Sequence, residues 1–370
     1  MAITGFATEA GTARYRARQT ACHPGHFRRL QDLCVSSVGL GTYLGDPDER
    51  TDHLYAQAIE AALLSGCNLI DTAINYRCQR SERTIGETLE RLIGQGAIRR
   101  DELVLCTKGG YLPFDGAVPH EPERYVRDTF LAPGVIQDDE LVAGYHCLAP
   151  RYLAHQMSRS LHNLHVETID VYYLHNPEQQ LEERSRETFL ARVEAACAFL
   201  EDQVQQGTIR LYGTATWNGY RANPHDPTYL SLHELVEVAR RVGGERHHFR
   251  VIQVPYNLAM PEALGFKNQL VDGESLSLLE AAQRLGVSVV VSASLLQSRL
   301  ATLPDALGHL IPHLATDAQR AIQFIRSSPG VTTALVGMKR NVHVEENLAL
   351  ANVAPMPREQ IEQLFVKARR

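Results

Sequence analysis

Short, continuous apolar runs alternate along this chain with longer stretches whose apolar residues recur at helical spacing. The runs fall at 34–43, 68–72, 103–107, 168–174, 209–215, 250–255, 288–294 and 333–336. The periodic stretches fall at 52–65, 81–93, 151–164, 186–206, 230–242, 275–285, 317–327 and 342–351. In the first of these the stripe is Leu54, Ala58, Ala61, Ala62 and Leu64, and Gly66 stops it. In the second it is Ile85, Leu89 and Leu92, with Ser81 placed to cap. Apolar runs without polar alternation suit parallel strands covered on both faces. Eight β-then-α units predict a (β/α)8 TIM barrel, with active groups on the loops that leave the strands. A doubly wound open sheet is the alternative, but no G-x-G-x-x-G follows the first run.

Residues 1–25 lack clear periodicity and read as an N-terminal extension, a surface arm packed on the domain. Residues 26–33 read as a short strand or hairpin arm. Residues 26–370 then form a single catalytic domain, with no repeat or linker that would divide it. Within it, 111–150 is a long insertion rich in Pro, Gly, Asp and Tyr, the kind of loop that serves as a lid or binding loop. A last amphipathic segment, 358–368, lies in a C-terminal tail spanning 352–370.

Composition narrows the class. Hydrophobic residues make up 44% of the 370 and charged residues 22%, as in soluble globular proteins. A net charge of −6 leaves no basic footprint for nucleic acid or an anionic membrane. The longest apolar stretch, 287–296, is broken by serines and too short to span a bilayer. The cysteines number 7, with no C-x-x-C pair, so neither a disulfide framework nor a zinc ribbon is indicated. The histidines show no metal-ligand pattern, and no metal is expected. No apolar signal core precedes Gln19, so a cytoplasmic location is expected.

The chemistry gathers at strand ends. Asn68-Leu69-Ile70-Asp71-Thr72-Ala73-Ile74-Asn75-Tyr76 ends a strand on an acid and a phenol. Val104 to Gly110 ends one on Lys108, and Asp170 to Pro177 ends one on His175. Neighbouring strands lie about 5 Å apart, so Asp71, Tyr76, Lys108 and His175 can converge at one face. A lysine beside a tyrosine favours the phenolate and is expected to lower the phenol's pKa, and an aspartate keeps the lysine charged. Tyr76 would then give a proton to a carbonyl oxygen, with His175 hydrogen-bonding the same oxygen. That is a carbonyl-reducing site in need of a hydride donor.

These segments resemble the aldo-keto reductase family from about His26 to Ala351. Gly39-Leu40-Gly41-Thr42 is similar to its first-strand signature. The Asp71 to Tyr76 segment with Ser81-Glu82 and Ile85-Gly86 resembles its second unit. Thr107-Lys108 and Tyr173-Leu174-His175-Asn176-Pro177 resemble its lysine and histidine motifs, and Gly207 to Gly213 its approach to strand five. Gln253-Val254-Pro255-Tyr256-Asn257 and Glu345-Glu346-Asn347-Leu348 resemble two cofactor motifs. The resemblance implies an NAD(P)(H)-dependent oxidoreductase acting on a small aldehyde, ketone or alcohol, with Asp71, Tyr76, Lys108 and His175 as tetrad. It implies Gln253 at the nicotinamide carboxamide, and Thr42 and Tyr43 near cofactor and substrate. It also implies that 337–347 hold the adenosine end, with Gly337, Lys339, Arg340, His343, Glu346 and Asn347 as contacts.

The chain departs from that pattern in places. After strand five, Ala215-Thr216 stand where the family carries Ser-Asn, leaving Thr216 as the hydroxyl. At the end of strand seven, Ser292, followed by Leu295, stands where an aromatic stacks on the nicotinamide; Trp217 or Tyr256 is the candidate substitute. The usual arginine for a 2′-phosphate falls near His343, so Lys339 and Arg340 are either its replacement or solvated charges. NADP(H) is the expected cofactor, with NAD(H) as the alternative. Trp217, with Tyr43 and Tyr111, is expected to line the substrate pocket, or else Trp217 anchors its loop. Phe114, Tyr145 and His146 reach over the site or remain ordinary loop residues. Two other readings stand beside carbonyl reduction: a nucleotide-binding barrel that senses or scaffolds with little turnover, and a Schiff-base aldolase acting through Lys108.

Overall fold

Eight parallel strands pair in sequence order and close on themselves, each followed by a helix. A computed structural model describes residues 2–304 and 310–367; residues 368–370, the end of the tail, lie outside the described residues. The barrel strands are β1 (Val38–Gly41), β2 (Leu69–Asp71), β3 (Val104–Gly109), β4 (Ile169–His175), β5 (Ile209–Ala215), β6 (Phe249–Pro255), β7 (Ser288–Ser292) and β8 (Val331–Gly337). The helices are α1 (Glu49–Leu64), α2 (Arg80–Gly94), α3 (Pro150–Leu164), α4 (Arg186–Gln205), α5 (Leu232–Gly243), α6 (Leu278–Arg284), α7 (Asp317–Ser327) and α8 (Asn341–Leu348). The predicted (β/α)8 barrel is therefore the fold.

The strand period of two sorts each strand into faces. Leu40, Ile70, Leu105, Tyr172, Leu174, Ile252, Val289 and Val336 belong to the cluster shared with the helices. Leu69, Val104, Cys106, Val171, Tyr173, Leu211, Val251, Val290 and Leu335 form the barrel interior. The next inward position at the C-terminal end of each strand is Gly41, Asp71, Lys108, His175, Ala215, Gln253, Ser292 or Gly337. Apolar layers below and this mixed polar layer above are consecutive steps of one periodicity.

The other end of the barrel corrects one expectation and adds detail to another. The run at 34–43 is not one strand. Leu33–Ser36 pairs back on Phe27–Leu30 as a hairpin, and Ser37 separates it from β1. Leu30, Leu33 and Val35 join the interior cluster and plug the N-terminal mouth. The N-terminal arm is also more than surface chain. Glu9–Arg18 is helical, with the Thr8 side chain capping it. Tyr15 is buried and donates from its hydroxyl to the Leu63 carbonyl at 2.7 Å. Ala7 N donates to Asp170 Oδ1 at 2.7 Å, and Arg100 pairs with the other oxygen at 2.8 Å. This ties the arm to a buried carboxylate, since such a group is costly to hide without partners.

Smaller differences follow the same logic. Ser81 does not cap α2; its hydroxyl donates to the Thr42 carbonyl at 2.8 Å and so braces the loop after β1. The insertion 111–150 carries two short helical turns, Pro122–Val126 and Arg127–Leu131, and Phe130, Ile136, Cys147 and Tyr152 form their own apolar cluster. A two-stranded hairpin, Gln269–Val271 with Glu274–Leu276, occupies the loop before α6, where a helix from 275 was expected; a Ser277–Glu280 capping box starts α6 at Leu278. No helix among the described residues is long and apolar enough to cross a membrane.

Candidate active site

Lys108 is the hub. It is fully buried, and its Nζ donates to Asp71 Oδ1 at 2.6 Å, to the Thr72 carbonyl at 2.7 Å and to the Tyr76 hydroxyl at 3.3 Å. Gln253 Nε2 donates to the second Asp71 oxygen at 2.7 Å. The His175 ring meets Tyr76 edge-on, with centroids 5.9 Å apart. The structure thus brings all four strand-end residues together and adds Gln253 to the same network. Tyr76 is not on a strand; it is aimed by the turn behind it. Arg77, Cys78 and Gln79 have φ of 50°, 55° and 71°, a left-handed run that L-residues adopt at a cost. Arg77 holds it, donating to the Asp46 carbonyl at 2.9 Å and pairing with Asp52 at 2.6 Å.

The electrostatics qualify one expectation. Burial works against the Lys108 charge, but Asp71 and Tyr76 outweigh it and hold the ammonium above its ordinary pKa. Burial likewise raises the Tyr76 phenol, and Lys108 only partly offsets this. The phenol pKa is therefore raised, not lowered as the pairing alone predicts. Burial lowers His175 well below its ordinary value, and Lys108 adds to the effect, so its ring is neutral. A neutral Lys108, needed for a Schiff base, is disfavoured by the same ion pair.

Two contiguous hollows open above this layer. A groove of about 130 Å³ runs past Gly41, Thr42, Leu44, Ser294, Leu295, Ser298 and Gly337. A wider cavity of about 540 Å³ is lined by Tyr111, His175, Asn176, Thr216, Trp217 and Arg299, among others. Tyr43, Tyr76, Gln253 and Ser292 line both. Tyr43 is exposed, its ring 5.0 Å from that of Tyr76. Trp217 is 45% exposed on the cavity wall. Tyr256 is not a candidate for stacking in the groove: it is buried, its hydroxyl 2.8 Å from Ser328 Oγ and its ring against Phe324. Of the expected adenosine contacts only Gly337 lines the groove. Lys339 and Arg340 lie between β8 and α8, and His343, Glu346 and Asn347 on α8, with Asn347 buried.

The sequence marks several loop residues here but not the partners they find. Asn176 Nδ2 donates to the Tyr111 hydroxyl at 2.8 Å, and that hydroxyl donates to Gln179 Oε1 at 3.0 Å. His146 is neither surface nor lid; it is fully buried. Its Nε2 bonds the His175 carbonyl at 2.8 Å, so that nitrogen carries the proton, and its Nδ1 accepts from Gln180 at 2.8 Å. Gly110 makes room for this, since a Cβ there would lie 2.9 Å from both His146 Nε2 and the His175 carbonyl. Phe114 packs on Tyr125, and Tyr145 stacks on Tyr111. The signal that was available is Asn176 itself, adjacent to His175. Among the described residues no group of three His, Cys, Asp or Glu is arranged to hold a metal.

Burial lowers His146 to about 4, which predicts a pH dependence of stability. Between 6.5 and about 4 the unfolded ring takes a proton that the folded ring refuses. Stability is therefore lost as pH falls through that window, by on the order of 1–3 kcal/mol. His146→Gln should flatten that part of the slope. Urea midpoints at neutral and mildly acidic pH measure it, and identical slopes in both proteins would rule the assignment out.

The family model of the aldo/keto reductase family matches residues 37–309. The chain belongs to the aldo/keto reductase family. Its relatives include the uncharacterized oxidoreductase YqkF of Bacillus subtilis, 23% identical over 90% of this chain and 92% of that one. The NADH-specific methylglyoxal reductase of Escherichia coli is 27% identical over 55% of this chain and 54% of its own. In structure, an aldo/keto reductase from Klebsiella pneumoniae solved with NADP and acetate superposes with a TM-score of 0.62. It is 20% identical, over 91% of this chain and 93% of that one, a likeness of fold.

Proposed function

We propose that this aldo/keto reductase reduces an aldehyde or ketone, or oxidises the corresponding alcohol, with a nicotinamide nucleotide as partner and Tyr76 as proton donor. One observation carries the reading: buried Lys108 bridges the Asp71 carboxylate and the Tyr76 hydroxyl at the foot of a cavity. The groove fits the nucleotide in kind. Thr216 Oγ1 is buried without a partner in the cavity wall, a hydroxyl left for a carboxamide beside Gln253. Thr42, Tyr43, Ser292, Leu295 and Gly337 line the path outward. When bound, the nucleotide supplies the hydride. The chain's own residues do the rest. His175, neutral, hydrogen-bonds the carbonyl oxygen, Tyr76 gives it a proton, and the Lys108–Asp71 pair stabilises the phenolate that remains. Tyr43, Tyr111 and Trp217 wall the substrate.

The NADP(H) preference is supported by the bound nucleotide named for the Klebsiella pneumoniae structure. The NADH specificity named for the Escherichia coli relative keeps NAD(H) as the alternative. Titration with NADPH and NADH, followed by quenching of the single tryptophan, comes first; a panel of aldehydes and ketones follows. Binding with turnover is expected. Binding of a nucleotide with no turnover across the panel would favour the sensing role, and no binding of either nucleotide would remove the proposal. Lys339→Ala with Arg340→Ala should weaken NADPH more than NADH if these cations grip the 2′-phosphate.

A further inference from the structure

We propose that Glu178 is a positioning residue: from the loop after β4 it clamps the loop after β5, and so sets the cavity wall that Trp217 forms. Its Oε1 accepts three successive backbone N–H groups, from Trp217 at 2.8 Å, Asn218 at 3.0 Å and Gly219 at 3.2 Å. Glu178 is buried, and its Oε2 is buried without a partner. A carboxylate hidden from water needs hydrogen-bond donors. Apart from its own backbone N–H, the donors to this carboxylate belong to the single loop that carries Trp217.

The loop is held from its other sides as well. Thr216 N donates to the Gln253 carbonyl at 2.9 Å, joining it to β6. Arg221 donates to the Trp217 carbonyl at 3.1 Å and pairs with Glu262 at 2.8 Å. Glu178 supplies the inner contact, and it stands three residues after His175. The same short segment, Pro177–Glu182 with Asn176 before it, also fixes Tyr111 through Asn176 and Gln179. Tyr111 and Trp217, two aromatic walls of the cavity, thus both hang from the segment that follows His175. Substrate fit is tied to the catalytic face by a few hydrogen bonds.

Glu178→Ala leaves three loop N–H groups without an acceptor, whereas Glu178→Gln keeps an oxygen in place. The kinetic test rests on the carbonyl-reduction reading and uses a bulky aromatic aldehyde and a short aliphatic one. Glu178→Ala should raise KM for the bulky aldehyde about ten-fold more than for the short one, the size of one unmet buried hydrogen bond. Glu178→Gln should recover most of that ratio. A second readout does not need turnover. Trp217 is the only tryptophan, so emission excited at wavelengths beyond tyrosine absorption reports this wall alone. Its maximum should shift to longer wavelength and acrylamide quenching should increase in Glu178→Ala, with Glu178→Gln close to wild type. Unchanged emission in Glu178→Ala would overturn the proposal. So would an equal loss of kcat on both aldehydes that Glu178→Gln does not rescue. A wild-type protein inactive on every carbonyl would sink the proposed function, and the emission measurements would still decide the role of Glu178.

Discussion

Tyr76→Phe is expected to cut carbonyl reduction by roughly 10²–10⁴-fold while nucleotide affinity stays near wild type. The substitution removes one hydroxyl. The Lys108–Asp71 pair, the Gln253 contact and the groove along Thr42, Ser292 and Gly337 do not depend on it. The raised pKa of Tyr76 does not weaken this expectation. An alkoxide is a far stronger base than a phenolate, so transfer from a raised phenol still runs downhill. The raised value also keeps Tyr76 protonated well past neutrality, above the ordinary 10.0 of a phenol. Reduction by the wild-type protein should therefore stay level as pH rises through the neutral range, and decline only in strong alkali. Steady-state rates across pH with a fixed aldehyde, beside nucleotide titrations of both proteins, test this. Wild-type turnover in Tyr76→Phe would mean that the proton donor has been misassigned.

The largest effect on stability is expected from Lys108→Met. The Lys108 side chain is fully buried and that of Asp71 is 4% exposed, at 2.6 Å. Removing the cation leaves a carboxylate in the barrel interior with Gln253 as its remaining side-chain donor. Breaking a buried pair from one side costs about 3–5 kcal/mol, because the other charge stays behind uncompensated. The double variant Lys108→Met with Asp71→Asn removes that charge and should regain much of the loss. Urea unfolding of the wild type, Lys108→Met and the double variant measures the loss and its recovery. A single variant as stable as the wild type would show that the pair is not buried as described. Both variants should be inactive, since Tyr76 loses the ammonium 3.3 Å from its hydroxyl.

These two expectations rest on features of different legibility. The barrel and the grouping of Asp71, Lys108 and His175 were readable in the chain because strand periodicity is local. In β3, Val104, Cys106 and Lys108 are alternate residues on one face; in β4, Val171, Tyr173 and His175 are. Apolar steps that end on an ionisable step mark the open end of a parallel barrel, whatever the surroundings.

Other features needed the tertiary structure, because burial is settled by residues far apart in sequence. The direction of the Tyr76 shift is one: the lysine was visible, but the desolvation that outweighs it comes from the closed site. His146 is another, a loop histidine by position that becomes fully buried because Gly110 lets it reach the His175 carbonyl. Glu178 is a third. As a letter after Pro177 it is an ordinary surface acid; only the packing of the β4 loop on the β5 loop hides it from water and turns three N–H groups toward it. The N-terminal arm follows the same rule, aperiodic in sequence yet fastened by Tyr15 and by the Asp170 carboxylate. The sequence by itself determined the alternation of faces, and with it the barrel and the polar layer at its mouth, since each face depends only on residues two apart. Tertiary structure decided which loop side chains lost their water, and so which of them aim, clamp or tune that layer.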